Sequence, residues 1–218
     1  MQFEIYKKNM CDTTVIVIRH AEKLEWKGGC EPTEEERECY VDNHVLSPKG
    51  YERSHALVGY FTDRAEMKNL FSKRPLAALI AQGVDSGSDA WGKSCRPKET
   101  VLPLALALET HSKQRQRIEC ANSVPLLEFT KKEFRKMIDM ILGGAFQGKS
   151  VILCWSHQQM PAIATSLGVP DAQVPRKWKG GRFDITWVVD LNPRTHPMLV
   201  QFPQNLMYGD SNSVFALK

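Results

Sequence analysis

Two stretches of the chain place a histidine directly after a short apolar run. Thr14-Val15-Ile16-Val17-Ile18 is followed by Arg19-His20-Ala21-Glu22, and Ser150-Val151-Ile152-Leu153-Cys154-Trp155 by Ser156-His157. Such runs read as buried strands, and open α/β sheets collect their ligand sites at the carboxyl ends of parallel strands. Arg19 offers a planar, permanently charged fork for an anion, and the His20 imidazole can attack an electrophile near neutral pH. Arg96, in Ser94-Cys95-Arg96-Pro97, opens a later helix whose N-terminus adds positive potential to the same rim. Polar groups at buried strand ends are costly to keep unless they act. Guanidinium groups beside a nucleophilic imidazole suit phosphoryl transfer, so phosphate is the expected anion.

The elements that position these residues alternate along the chain. After the first strand comes a Gly-, Glu- and Cys-rich loop from Lys23 to Val45. Ser47-Pro48, an N-cap with proline at the first helical position, then starts a helix reaching Tyr60 or beyond. Leu76 to Ala81 is a second strand, Gly83 to Lys93 a loop, and Pro97 to Leu108 a second helix. Arg117 to Cys120 is expected as a short strand. Phe134, Met137, Ile138, Ile141 and Leu142 share one helical face, and Thr130 with Glu133 forms a capping box ahead of them. A helix follows from Met160 to Leu167, stopped by Gly168 and Pro170, and Ile185 to Leu191 and Met198 to Phe202 are the last strands. No internal repeat, low-complexity linker or composition shift divides the chain. The expectation is one α/β domain over residues 1–218, with three αβα layers and a mostly parallel central sheet.

Composition narrows the function classes. The 218 residues are 42% apolar and 25% charged, enough to bury one sizeable core. The net charge of +4 suits acidic small molecules and lacks the clustered basic stripe of a nucleic-acid binder, because bases alternate with acids as in Lys131-Lys132-Glu133. The apolar runs fall well short of the roughly 20 residues that span a bilayer. No stretch near Met1 has the apolar core of a signal peptide. Cys11, Cys30, Cys39, Cys95, Cys120 and Cys154 form no CxxC pair, which fits a reducing, cytoplasmic setting. Cys30 and Cys39, flanking an acidic loop, are the one pair that leaves a disulfide open. Glu34-Glu35-Glu36 reads as a solvated face, His44, His55, His111 and His196 have no partner visible in sequence, and Gly143-Gly144 and Gly180-Gly181 read as turns.

Four ordered motifs resemble those of the histidine phosphatase superfamily, the phosphoglycerate-mutase-like fold, in its smaller branch. Arg19-His20-Ala21-Glu22 is similar to the Arg-His-Gly/Ala-Glu signature. Leu46-Ser47 through Leu57 is similar to the Leu-Thr/Ser-x-x-Gly-x-x-Gln-Ala helix opening. Ser94 to Thr100 is similar to the Ser-x-x-Arg-Ala-x-Glu/Gln-Thr segment, and Ser156-His157 to the second catalytic histidine.

The resemblance implies a metal-independent phosphomonoester hydrolase that forms a phosphohistidine on His20. Arg19, Arg96 and His157 would hold the equatorial phosphoryl oxygens, and Glu22, Ser94 and Gln158 complete the implied substrate-binding set. The general acid implied by the Leu126-Leu127-Glu128 context is Glu128, with Glu22 and Asp89 next in line. No cofactor is implied, and the sequence shows no metal-type ligand spacing. The partner class is a small phosphorylated substrate or a phosphopeptide, with neither nucleic acid nor membrane. The family's asparagine beyond the first histidine has no counterpart, and Trp26 stands near its place. The mutase Glu-Arg-His-Tyr-Gly and the small-molecule phosphatase Gly-x-x-Glu-Gly segments are both absent after Glu128, which leaves substrate identity open. A mutase-type phosphotransferase and a phosphate-binding interaction module without turnover are the alternatives. Trp178 to Asp184 is expected to border the site; Trp91 and Trp155 are further candidate wall residues, with packing the preferred role of Trp155 and Trp187.

Overall fold

The structure is a computed structural model that describes residues 12–24, 44–85, 93–109, 113, 115–192 and 194–217. Expectations for Cys11, Trp26, Cys30, Glu34-Glu35-Glu36, Cys39, Asp89, Trp91 and His111 lie outside the described residues.

Strand β1 (Thr13–Arg19) is buried along its whole length, as its β-branched residues require. Alternation sends Val15 and Val17 into one apolar core and Ile16 and Ile18 into another on the opposite face of the sheet. Helices α1 (Pro48–Asp63), α2 (Ala65–Lys73) and α3 (Arg96–Ala107) cover the Ile16 face through Leu57, Phe61, Phe71 and Leu104. Helices α4 (Phe134–Leu142) and α5 (Met160–Ser166) cover the other through Met137, Ile141 and Ile163. The remaining strands are β2 (Leu76–Gln82), β3 (Leu126–Phe129), β4 (Lys149–Trp155), β5 (Ile185–Leu191) and β6 (Met198–Pro203), and the sheet order is β3-β2-β4-β1-β5-β6.

The local signals sit where the residue types put them. The Ser47 hydroxyl caps α1 by accepting from the Gly50 N–H, with Pro48 in the first turn. Thr130 and Glu133 close a reciprocal capping box on the 3-10 turn Lys131–Glu133 that runs into α4. Gly168, at φ +93°, ends the turn after α5.

The sheet is mixed rather than mostly parallel. Strands β3, β2, β4 and β1 pair in parallel, but β5 is antiparallel to β1 and β6 to β5. Residues 192–197 between β5 and β6 are too few for a parallel return, which needs a crossover of about a dozen residues or more, so β6 runs back along β5. Residues 156–184 between β4 and β5 are enough for such a crossover, and that connection does not dictate the antiparallel setting of β5 on β1. The strand expected over Arg117 to Cys120 is instead a 3-10 turn, Arg115–Arg117, and one isolated bridge between Cys120 and Leu76. Arg115 donates to the carbonyls of Leu108 and Ala121, which curls the chain before a ladder can extend.

Candidate active site

Parallel pairing in register sets Arg19 opposite Trp155, and the His20 N–H continues the ladder by donating to the Trp155 carbonyl at 3.2 Å. His20 and the Ser156-His157 segment therefore leave the sheet side by side. The His20 ring is buried, and its Nδ1 lies 2.7 Å from the Ala21 carbonyl oxygen. A carbonyl only accepts, so Nδ1 carries the proton and Nε2 keeps its lone pair in the neutral ring. Burial, then the Arg19 charge, with Arg96 and His157 adding to them, holds the imidazole well below its ordinary pKa despite the opposing Ala21 hydrogen bond. At neutral pH the His20 imidazole is uncharged.

The segment after His20 is fixed from both sides. The Ala21 N–H donates to Thr100 Oγ1 at 2.8 Å, and the same hydroxyl donates to the Arg96 carbonyl at 2.7 Å, so one buried threonine ties the segment after His20 to the first turn of α3. Gly50 lets α1 approach from the other side: a Cβ there would lie 2.3 Å from the Glu22 carbonyl oxygen.

Glu22 itself turns into the fold. Both its oxygens accept from Arg53 of α1 at 2.8–3.1 Å, and Arg53 also donates to Asp210 at 2.6 and 3.0 Å. All three side chains are buried, so the structure gives Glu22 an internal ion-pair partner instead of a place on the pocket wall.

Arg19 is gripped by the segment expected to border the site. Its Nη1 donates to the carbonyls of Lys179, Gly180 and Arg182, and its guanidinium stacks 3.8 Å from the centre of the Phe183 ring. Phe183 also stands 6.0 Å from the His20 ring, walling one side of that imidazole. Burial lowers the Arg19 pKa to about 9, with Glu22 raising it and Arg96 lowering it. The loop is anchored in turn: Arg182 Nε donates to Asp184 at 2.7 Å, the Ser211 N–H donates to Asp184 at 2.7 Å, and Arg182 Nη2 reaches the Ser213 carbonyl at 2.6 Å. Trp178, Trp155 and Trp187 are buried in the core.

Arg96 begins α3 and is buried. His157 begins the 3-10 turn His157–Gln159, half-buried, with its pKa lowered to about 4 by burial and then by Arg19, Lys23 and Lys131. His20 thus lies within electrostatic reach of Arg19, Arg96 and His157, and Arg19 within reach of Arg96 and of His157. Gln158 points to solvent. Glu128, at the end of β3 beside Ala81, is exposed and pairs with Lys98 at 2.7 Å.

Reading the residues in sequence missed Gln82, Lys131 and the Arg53–Asp210 pair, whereas Phe183 belongs to the segment expected to border the site. Gln82 had a visible signal, a polar residue closing the apolar strand β2. Among the described residues, Arg19 Nε, Gln82 Nε2, Ser94 Oγ, Ser156 Oγ and His157 Nδ1 are buried without a hydrogen-bond partner. Native interiors pair roughly 90% or more of such groups, so their concentration around one pair of strand ends marks a place built for a polar ligand. No group of three or more His, Cys, Asp or Glu among the described residues is arranged to hold a metal ion. No described helix is long and apolar enough to cross a membrane.

No family model matches the chain, and no curated protein matches it. Among solved structures, it is similar to one described as the "putative phosphohistidine phosphatase SixA from Agrobacterium tumefaciens", at 15% identity and a TM-score of 0.46, over 87% of this chain and 96% of that one.

Proposed function

We propose that the chain is a phosphomonoester hydrolase of the histidine phosphatase superfamily, working through a phosphohistidine on His20. The observation that carries this reading is the buried, neutral His20, its Nδ1 tied to Ala21 and its Nε2 free, set among Arg19, Arg96 and His157. His20 Nε2 attacks phosphorus and the bond to the ester oxygen breaks. The leaving oxygen takes a proton from the general acid, for which Glu128 is the candidate. Water then attacks the phosphohistidine and gives one proton back to the conjugate base of that acid, the P–N bond breaks with its electron pair returning to His20 Nε2, and phosphate leaves.

Arg19 and Arg96 supply fixed positive charge to the equatorial oxygens, and so does His157 once an anion beside it favours its protonated form. Each preorganised donor of this kind is worth about 10²–10³ in turnover. The guanidinium groups fill the role that a divalent ion has in other phosphatases, and the substrate is a small phosphorylated molecule or a phosphopeptide.

The test is phosphate release from p-nitrophenyl phosphate with EDTA present, comparing wild type with His20→Ala, together with trapping of an acid-labile, base-stable phosphoenzyme. Hydrolysis that depends on His20 supports the reading, and equal rates in the two proteins defeat it. Incubation with labelled bisphosphoglycerate separates hydrolysis from a mutase: the label appears in inorganic phosphate for the first and in a sugar-acid product for the second.

A further inference from the structure

Gln82 is the last residue of β2 and is 0% exposed, in a strand whose other residues are all apolar. Its Oε1 accepts the Ser156 N–H at 3.3 Å, one residue before His157. Because a backbone N–H can only donate, the carbonyl end of the amide must face Ser156, and the orientation of the NH₂ end follows from it. That end carries two donors, is buried, and has no partner among the described residues. The next residue, Gly83, is held against β3 by its N–H on the Phe129 carbonyl at 2.8 Å, and a Cβ on Gly83 would lie 3.2 Å from the Glu128 Cβ. Gln82 is therefore seated between the candidate acid on β3 and the second histidine after β4, in the same group of unpartnered buried atoms as Ser156 Oγ and His157 Nδ1. A buried donor left unmade is destabilising, and a ligand oxygen in the pocket would satisfy this one.

We propose that the Gln82 side-chain amide is a further phosphoryl ligand, donating from Nε2 to an oxygen of the substrate's phosphate. The inference rests on the phosphatase reading and adds to it a neutral donor that discriminates an oxyanion by hydrogen bonding without adding charge.

The test uses the whole chain and inorganic phosphate as the probe, with affinity measured by calorimetry and kcat/KM measured on p-nitrophenyl phosphate. Gln82→Glu preserves side-chain length and an oxygen for the Ser156 N–H, but replaces the donor with an acceptor. The expected result is a loss of about 10–100-fold in phosphate affinity and a parallel fall in kcat/KM. If wild type binds phosphate and Gln82→Glu binds it equally well, Gln82 only anchors Ser156 and the assignment is overturned while the phosphatase reading stands. If wild type neither binds phosphate nor hydrolyses the ester, both are overturned. Should Gln82→Glu fail to fold, Gln82→Met, neutral and of similar length, is read the same way: unchanged phosphate affinity sinks the assignment.

Discussion

Replacing Arg53 by methionine tests the frame on which the nucleophile's loop rests. Arg53 is 2% exposed and holds two buried carboxylates, Glu22 at 2.8–3.1 Å and Asp210 at 2.6 and 3.0 Å. Methionine fills much of the same space without charge and strands both acids. Removing one partner of a buried ionic group costs about 3–5 kcal/mol. In a chain of this size each kcal/mol moves the thermal midpoint by about 2–4 °C, so Arg53→Met is expected to unfold about 6–20 °C below wild type at pH 7. The pH dependence has a defined sign. Burial pushes the Asp210 carboxyl up, but hydrogen bonds from Arg53 and from the Met207 and Leu206 N–H groups outweigh it and leave the pKa below its ordinary 3.8. A carboxyl with a depressed folded pKa contributes stability that is fully present above its unfolded pKa and is lost as pH falls through the folded value. The gap between wild type and variant is therefore complete at neutral pH and closes below about pH 4. Calorimetric melts from pH 7 to pH 3 measure it. Glu22→Gln and Asp210→Asn combined with Arg53→Met should recover part of the loss, because neutral amides are cheaper to bury than stranded charges. A midpoint within about 2 °C of wild type at pH 7 would refute the reasoning, as would a gap that does not narrow in acid.

Two further outcomes follow from the site. Glu128→Gln should slow alkyl phosphates by about 10²–10⁴-fold and p-nitrophenyl phosphate far less, because only the poor leaving group needs the proton; equal losses on both would remove Glu128 as the acid. His157, with its pKa lowered to about 4, is neutral at pH 6, and an anion beside it favours the charged form. Sulfate binding at pH 6 should therefore draw up to about one proton from solution, read by calorimetry in buffers of different ionisation enthalpy, and the uptake should vanish in His157→Ala. Uptake that persists in that variant would assign the proton elsewhere.

Most of what the sequence made legible is local. The strand ends at Arg19 and Trp155, the Ser47 and Thr130 caps and the stop at Gly168 are each specified by residues within a few positions, so their types alone announce them. The direction of β5 was not legible, because the long connection after β4 allows either direction and the strand's own residues do not choose between them; β6 follows β5 through a connection too short for a parallel return. The role of Glu22 was hidden for a related reason. Beside His20 in sequence it looks like a pocket acid, yet its partner lies 31 residues away, and Asp210 stands 157 residues beyond that partner. Arg19 offers a similar lesson: its charge is plain, but the three carbonyls that orient it come from a loop with no acidic side chain among them. Gln82 was visible as an oddity and uninterpretable until β2 and β4 were neighbours.

The position of Asp210 has a consequence for biosynthesis. Every strand of the sheet, through Pro203, leaves the ribosome before Asp210 does. A nascent chain can thus assemble its layers while Arg53 has only Glu22 to neutralise it, and while Asp184 and Arg182 still lack Ser211 and Ser213. Residues 210–213 thus brace, after the strands have been made, both the α1 face through Arg53 and the loop that holds Arg19 beside the His20 imidazole.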